Sequence, residues 1–281
     1  MHKLASGIYA ETSFKGVNVG AVVTKDGIIC IDTPTSPADC RKWRLKLTQL
    51  SQQPIRFVIN SDHHRDRVLG NQWFEAPVVA HELTAERIRA YPEVHRVGGD
   101  EIGNDFELAD ELAGVRLVPP QLTFGERLTL IKGGHEIHLI HMPGSAPGAI
   151  WVHFPGARIV FTGDAVVVNT APFLAEADID AWLESLAVLR KPRFPADVIV
   201  PGRGPLTDKE GVKATMDFLK TARRKIVRLA SRRAPADSAG AVPELLEFFP
   251  VSEANREHLA RRVKTGLDRL VESARGGNGD E

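Results

Sequence analysis

Through the first half of the chain, apolar residues fall in short runs closed by Gly, Asp and Asn, the punctuation of strands. Gly20 to Thr24 and Ile28 to Asp32 flank Lys25-Asp26-Gly27 and predict a hairpin. Further strands are expected at Ile55 to Asn60, Ala76 to His81, Ala149 to His153, Ile159 to Phe161 and Asp197 to Val200. Arg127 to Ile131 and Glu136 to His141 form a second hairpin across Gly133-Gly134. Between these runs the apolar period changes. In Pro37 to Gln52, Cys40, Trp43, Leu47 and Leu50 recur at helical spacing while Arg41, Lys42, Arg44 and Lys46 fall on the other face. Leu83 to Ala90, Asp100 to Leu112 and Asp178 to Leu189 also read as helices, the last with Trp182, Leu186 and Leu189 inward.

From Thr207 the pattern is helical throughout. Asp208 to Ser231 predicts one long helix, broken at residues 233–240; Pro243 to Phe248 and Ser252 to Ala274 predict two more, and the tail from Gly276 to Glu281 should fray. The basic run Arg223, Arg224, Lys225, Arg228, Arg232 and Arg233 reads as a solvated face or as contacts to helix C-terminal carbonyls. No repeat is evident. Strands and helices interleaved in this way predict mixed sheets with helices outside, an α/β or α+β fold.

Composition narrows the function. Lys plus Arg and Asp plus Glu both number 36, so nothing draws the chain to nucleic acid or to an anionic membrane. No stretch approaches the roughly 20 apolar residues of a membrane helix, and residues 1–10 lack the shape of a signal peptide. Cys30 sits in an apolar strand and Cys40 on the following helix. They read as reduced core residues of a cytoplasmic protein rather than as catalytic thiols.

The candidate chemistry lies in four loops. The first is Ile59-Asn60-Ser61-Asp62-His63-His64-Arg65-Asp66-Arg67-Val68-Leu69-Gly70-Asn71. It is followed by Met142-Pro143-Gly144-Ser145-Ala146-Pro147-Gly148, by Val160-Phe161-Thr162-Gly163-Asp164-Ala165, and by Ile199-Val200-Pro201-Gly202-Arg203-Gly204-Pro205. In order and spacing, over about residues 7 to 206, this series resembles the metal-binding loops of the metallo-β-lactamase superfamily, H-x-H-x-D-H-x-x-G, P-G-H-T-P-G, F-x-G-D and V-P-G-H-G-P. The resemblance implies a four-layer αββα sandwich over residues 1–206, with a C-terminal helical extension over residues 207–281 packed on it. His64, Asp66 and Asp164 stand at ligand positions of the pattern. Asp62, Arg67, Ser145 and Arg203 stand where it has histidine, while the flanking Pro and Gly are kept.

An arginine does not shed its proton in a protein and cannot ligate a cation. The pattern therefore predicts a degenerate site and a pseudoenzyme. Salt bridges among Asp62, His64, Asp66, Arg67, Asp164 and Arg203 would hold the loops together, and no cofactor is expected. The pocket would take a small anionic ligand or serve a protein partner. The alternative is a hydrolase of esters, thioesters or phosphoesters with a single metal on Asp62, His64, Asp66 and Asp164, an oxygen-rich set that suits Mn or Mg more than Zn. A third reading is metal-free catalysis with His64 as general base, Asp66 as a further candidate, or Ser145 with His64 and an aspartate; no nucleophile-elbow sequence supports the last. His63 stands at a variable position of the pattern and is expected to be exposed. His81, His135, His138, His141 and His153 lie on or beside strands and are expected to be packed or solvated.

Overall fold

The computed structural model describes residues 1–91, 112, 114–231, 237–251 and 253–276. Its frame is two sheets, of seven strands in the order β1-β2-β3-β4-β5-β6-β7 and of five in the order β12-β11-β10-β9-β8. The first comprises β1 (His2–Ala5), β2 (Ile8–Glu11), β3 (Val19–Thr24), β4 (Gly27–Ile31), β5 (Ile55–Ile59), β6 (Val78–His81) and β7 (Leu122–Phe124). The second comprises β8 (Arg127–Lys132), β9 (His135–His141), β10 (Ile150–Phe154), β11 (Ile159–Phe161) and β12 (Val198–Val200). Both predicted hairpins are present, Thr24 opposite Gly27 and Lys132 opposite His135.

Side-chain alternation explains the layering. Ile8, Val22, Ile29, Ile31 and Ile59 of the first sheet meet Leu139, Val152, Phe154, Phe161 and Val200 of the second in one buried cluster. The residues between them in sequence, Ala21, Ile28, Cys30 and Val58, face the other way, onto Cys40, Trp43 and Leu47 of α1 (Pro37–Leu50). On the far side, Trp151, Val160 and Ile199 pack against Trp182, Leu186 and Leu189 of α4 (Ile179–Arg190). The same cluster takes in Phe218 and Leu219 of α5 (Val212–Ala230), Leu245 and Leu246 of α6 (Val242–Leu246) and Leu267 and Val271 of α7 (Glu253–Gly276). The order helix, sheet, sheet, helix is thus an α/β sandwich. Strands covered on both faces need no polar side, which is why β10 and β11 are buried throughout.

Several details differ from the sequence expectation. β1, β2 and β7 have apolar runs too short to register as strands. The long helix begins at Val212 rather than Asp208, because Asp208 Oδ1 accepts from the backbone N–H groups of Glu210 and Gly211 and makes a turn there. Two short helices complete the described α-helices, α2 (Arg65–Val68) and α3 (Glu82–Ala90). The helix expected over Asp100 to Leu112 lies outside the described residues, apart from Leu112, as do the end of the tail and Arg232 and Arg233. Arg223 and Lys225 of the basic run pair with Asp180 and Glu244. Both cysteines are buried and free. Among the described residues, no helix is long and apolar enough to cross a membrane.

One buried charge links α1 to the first sheet. Glu11 is 1% exposed and receives Lys46 Nζ and the Ser13 N–H. Burial raises its pKa, but Lys46 and Ser13 outweigh it and hold it at about 2. A carboxylate with a depressed folded pKa stabilises above its unfolded value, and that contribution is lost as pH falls through the folded one. Wild-type protein is expected to lose on the order of 2 to 3 kcal/mol more stability between pH 5 and pH 2 than Glu11→Gln. Urea unfolding across that range measures the difference, and parallel curves for the two proteins would rule the effect out.

Candidate functional site

The site lies where β4, β5, β11 and β12 end. The turn after β5 carries Asp62, His63 and His64 and runs into α2 with Asp66 and Arg67; the turns after β11 and β12 carry Asp164 and Arg203. Their approach is close: a Cβ on Gly202 would stand 2.3 Å from Asp164 Oδ1, so only glycine fits there. α2 is tied down through its carbonyls. Thr33 Oγ1 donates to Arg67 O at 2.7 Å, Thr35 Oγ1 to Asp66 O at 2.8 Å and Asn60 Nδ2 to Arg67 O at 3.3 Å.

Arg67 is 0% exposed and is the hub of the pocket. Its Nε lies 3.1 Å from Asp62 Oδ2, one terminal nitrogen lies 3.3 Å from Asp32 Oδ2, and the other contacts Asp164 Oδ1. Arg203 contacts Asp66 Oδ2 and lies 3.1 Å from Asp164 Oδ2. His64 accompanies Asp62 twice, with Nδ1 at 3.0 Å and its backbone N–H donating at 2.9 Å, both to Oδ1. The predicted residues Asp62, His64, Asp66, Arg67, Asp164 and Arg203 therefore meet in one network. Arg67 and Arg203 pair with the expected carboxylates, and Arg67 also reaches Asp32, which lay outside the expected set. Ser145 is buried and its hydroxyl has no hydrogen-bond partner. Asp62, His64 and Asp164 each bring one donor atom within 4.8 Å of the others.

Charge in the pocket follows from these contacts. Burial disfavours ionised Asp62 and Asp164, but Arg67 and His64 beside Asp62, and Arg203 and Arg67 beside Asp164, outweigh it and hold both well below the carboxylate range. Burial also opposes a charge on His64, yet Asp62, Asp164 and Asp66 hold its pKa up at about 9. These carboxylates favour the imidazolium form, which has no lone pair with which to accept a proton. Burial drives Asp32 up to about 6 against the pull of Arg67.

Three residues of the pocket were not legible as such. Asp32, with φ at +53°, ends β4; its carboxylate accepts at 2.7 Å from both the N–H and the hydroxyl of Ser61. Its only sequence signal is an aspartate closing an apolar strand. His63, expected to be exposed, is fully buried: it stacks on His64 at 4.8 Å, and its Nε2 lies 3.0 Å from Glu176, an acidic residue over a hundred positions away. Arg262, on α7, lies over the Phe173 ring at 5.4 Å. Of the strand histidines, His81 is buried and stacks on His141, and His153 stacks on Phe194.

The chain is similar to several known proteins. Linear primary-alkylsulfatase from Pseudomonas sp. (strain ATCC 19151) is 23% identical over 289 residues, 86% of this chain, and the chain spans only 54% of that enzyme's length. Metallo-beta-lactamase type 2 from Pseudomonas aeruginosa is 24% identical over 77% of this chain and 82% of its own. Hydroxyacylglutathione hydrolase from Fuscovulum blasticum is 31% identical, over 37% of this chain and 40% of its own. Two solved structures have the same fold. A metallo-beta-lactamase from Pontibacter korlensis has TM-score 0.63 and 24% identity over 78% of this chain and 97% of that one. A metallo-beta-lactamase family protein from Thermus thermophilus has TM-score 0.66 and 18% identity over 96% and 95%. The sequence profile that spans the stretch from the end of β2 to Arg203, residues 12–203, is that of the metallo-beta-lactamase superfamily, and to this superfamily the chain belongs.

Proposed function

We propose that the pocket works without a metal, as a small-ligand site held open by carboxylate–guanidinium pairs, and that the protein is not a zinc hydrolase. The observation that carries this reading is Arg67. It is fully buried, and it engages both carboxylates, Asp62 and Asp164, of the cluster that offers metal donors. The third donor of that cluster, His64, is paired with Asp62. A divalent ion there would face a fixed positive charge. Two unit charges 4 Å apart repel by about 4 kcal/mol at an effective dielectric near 20, and Arg203 adds a second. The donor set does not fit two ions.

What the residues do is set each other in place. Arg67, with one nitrogen on each of three carboxylates, and Arg203, with one nitrogen between two, tie four separate strand ends together, and the loops keep the shape that the backbone turns prescribe. Burial in this network commits Asp62, Asp66 and Asp164 to structure and leaves the unpartnered Ser145 hydroxyl and His64 Nε2 to face a ligand. The two buried, free thiols favour a cytoplasmic setting.

A second reading is favoured by one observation, the 4.8 Å cluster of Asp62, His64 and Asp164. It would be a hydrolase of an ester, thioester or phosphoester with one divalent ion, Mn, Mg or Zn, in keeping with relatives named as an alkylsulfatase and a hydroxyacylglutathione hydrolase. Metal analysis separates the two. Protein purified without chelator is expected to hold far less than one equivalent of Zn, Mn or Mg, and to show no activity that added metal stimulates. A stoichiometric ion, lost in Asp164→Asn, would establish the second reading.

A further inference from the structure

The helix α7 packs on the loop that follows the Asp164 turn. A Cβ on Gly266 would stand 2.8 Å from Leu174 Cβ and 3.2 Å from the Ala175 nitrogen, so this glycine lets helix backbone and loop touch. One helical turn earlier, on the same face, is Arg262. Its guanidinium lies over the Phe173 ring at 5.4 Å, and Phe173 in turn meets the His64 ring at 5.5 Å and 86°. Phe173 thus stands between the C-terminal helix and the pocket, with one cationic side chain against it from each direction.

Arg262 differs from the other two arginines of the site. Arg67 and Arg203 are spent on carboxylates, whereas the Arg262 Nε–H is buried and donates to nothing among the described residues. The Phe173 ring, which also meets His64, sets Arg262 beside the pocket; burial first, then Arg203, pull its pKa down to about 10 against Asp164 and Asp66. Apart from the Phe173 ring, nothing among the described residues offsets the lost hydration of that Nε–H. A buried guanidinium donor without an acceptor costs free energy, and a ligand oxygen recovers it. On the acceptor side, Asp66 Oδ1 is also buried and without a hydrogen-bond partner. Asp66 is near enough to raise the Arg262 pKa, and its open carboxylate oxygen disfavours a doubly charged ligand.

We propose that Arg262 is the ligand-recognition residue of this pocket: α7 brings to it a guanidinium whose buried Nε–H is unspent, and the ligand it takes carries a singly charged oxyanion, a carboxylate or a sulfate ester. This assignment rests on the reading of the pocket as a ligand site and makes the C-terminal helices part of that site. The backbone contact at Gly266 explains how a residue so distant in sequence is held against the pocket.

The test uses the full chain, treated with chelator, and titration calorimetry with acetate, methyl sulfate and inorganic phosphate at constant ionic strength and pH 8, where phosphate is mostly a dianion. Acetate or methyl sulfate is expected to bind saturably, and phosphate more weakly. A charge-assisted hydrogen bond contributes about 1.5 to 3 kcal/mol, so Arg262→Gln should weaken binding by about tenfold or more. Arg262→Lys should retain part of it. Arg261→Ala, on the 60% exposed neighbour, should bind as the parent does. Unfolding curves identify which variants are folded, and Arg262→Gln and Arg262→Lys serve in turn if one is not. Equal binding by the parent and a folded Arg262→Gln, an equal loss in Arg261→Ala, or tighter binding of phosphate than of both monoanions would each overturn the assignment. If anions bind only before chelation, a metal holds them, and this assignment falls together with the metal-free reading. If the chelated parent binds and Arg262→Gln makes no difference, this assignment alone falls.

Discussion

Arg67→Ala is expected to melt roughly 10 °C below the parent, the largest loss from any single change in the pocket. The side chain is 0% exposed and is the common partner of Asp32, Asp62 and Asp164. Its removal leaves three carboxylates in a site that water reaches poorly. Breaking a buried pair by deleting one partner costs about 3 to 5 kcal/mol, and in a chain of this size each kcal/mol moves the midpoint by about 2 to 4 °C. Part of the cost can be relieved by protonation. Asp32, already pushed up to about 6 by burial, should take up a proton first, so the variant should recover stability as pH is lowered toward 5. Arg203→Ala should cost less, because the Arg203 side chain is 16% exposed and water can take its place. Thermal unfolding of the two variants at pH 7.5 and pH 5.5 checks the order and the sign. Equal midpoints for Arg67→Ala and parent would mean that the network contributes nothing to stability.

The second large effect runs in the opposite direction. The combined change Asp62→His, Arg67→His, Ser145→His and Arg203→His should create a protein that binds two zinc ions and melts higher with zinc than without. It supplies four imidazoles in loops whose turns are kept, and it removes two guanidinium groups from contact with Asp66 and Asp164. Binding to the native state alone stabilises by about 4 kcal/mol at a thousandfold excess over the dissociation constant. Asp32 loses Arg67 in this variant, so the zinc-free form should be less stable than the parent. Calorimetric titration with zinc, read beside the melting curve, is the measurement. A folded variant that takes up no more zinc than the parent would show that these four side chains do not converge as ligands.

Both effects depend on a pocket assembled from strand ends that are remote in the chain, and the sequence reveals its parts unevenly. The motif loops stand out because each combines a Pro or Gly that forces a turn with a polar residue at a set distance, a purely local signal. Asp62, His64, Asp66, Arg67, Asp164 and Arg203 are therefore recognisable in the sequence, and they lie together in the fold. Ser145 is recognisable too, but not that its hydroxyl is buried without a partner.

The strands and helices are legible for a related reason. Alternation and helical spacing are written in neighbouring residues, and both sheets and most helices follow them. The short β1, β2 and β7 exist because adjacent strands complete their hydrogen bonds, which no property of three or four residues announces. The sequence by itself thus determined the family, the layering of helices on sheets, and the presence of Arg67 and Arg203 in the motif loops. Only the tertiary structure decided who pairs with whom. Asp32 joins Arg67 because β4 and β5 are neighbours in the sheet, His63 is buried because Glu176 arrives from beyond β11, and Arg262 reaches the pocket because Gly266 lets a helix lie against a loop. Such contacts depend on how far the chain folds back on itself. Local pattern carries no record of that distance, and charge pairing, which acts through space, is decided by it.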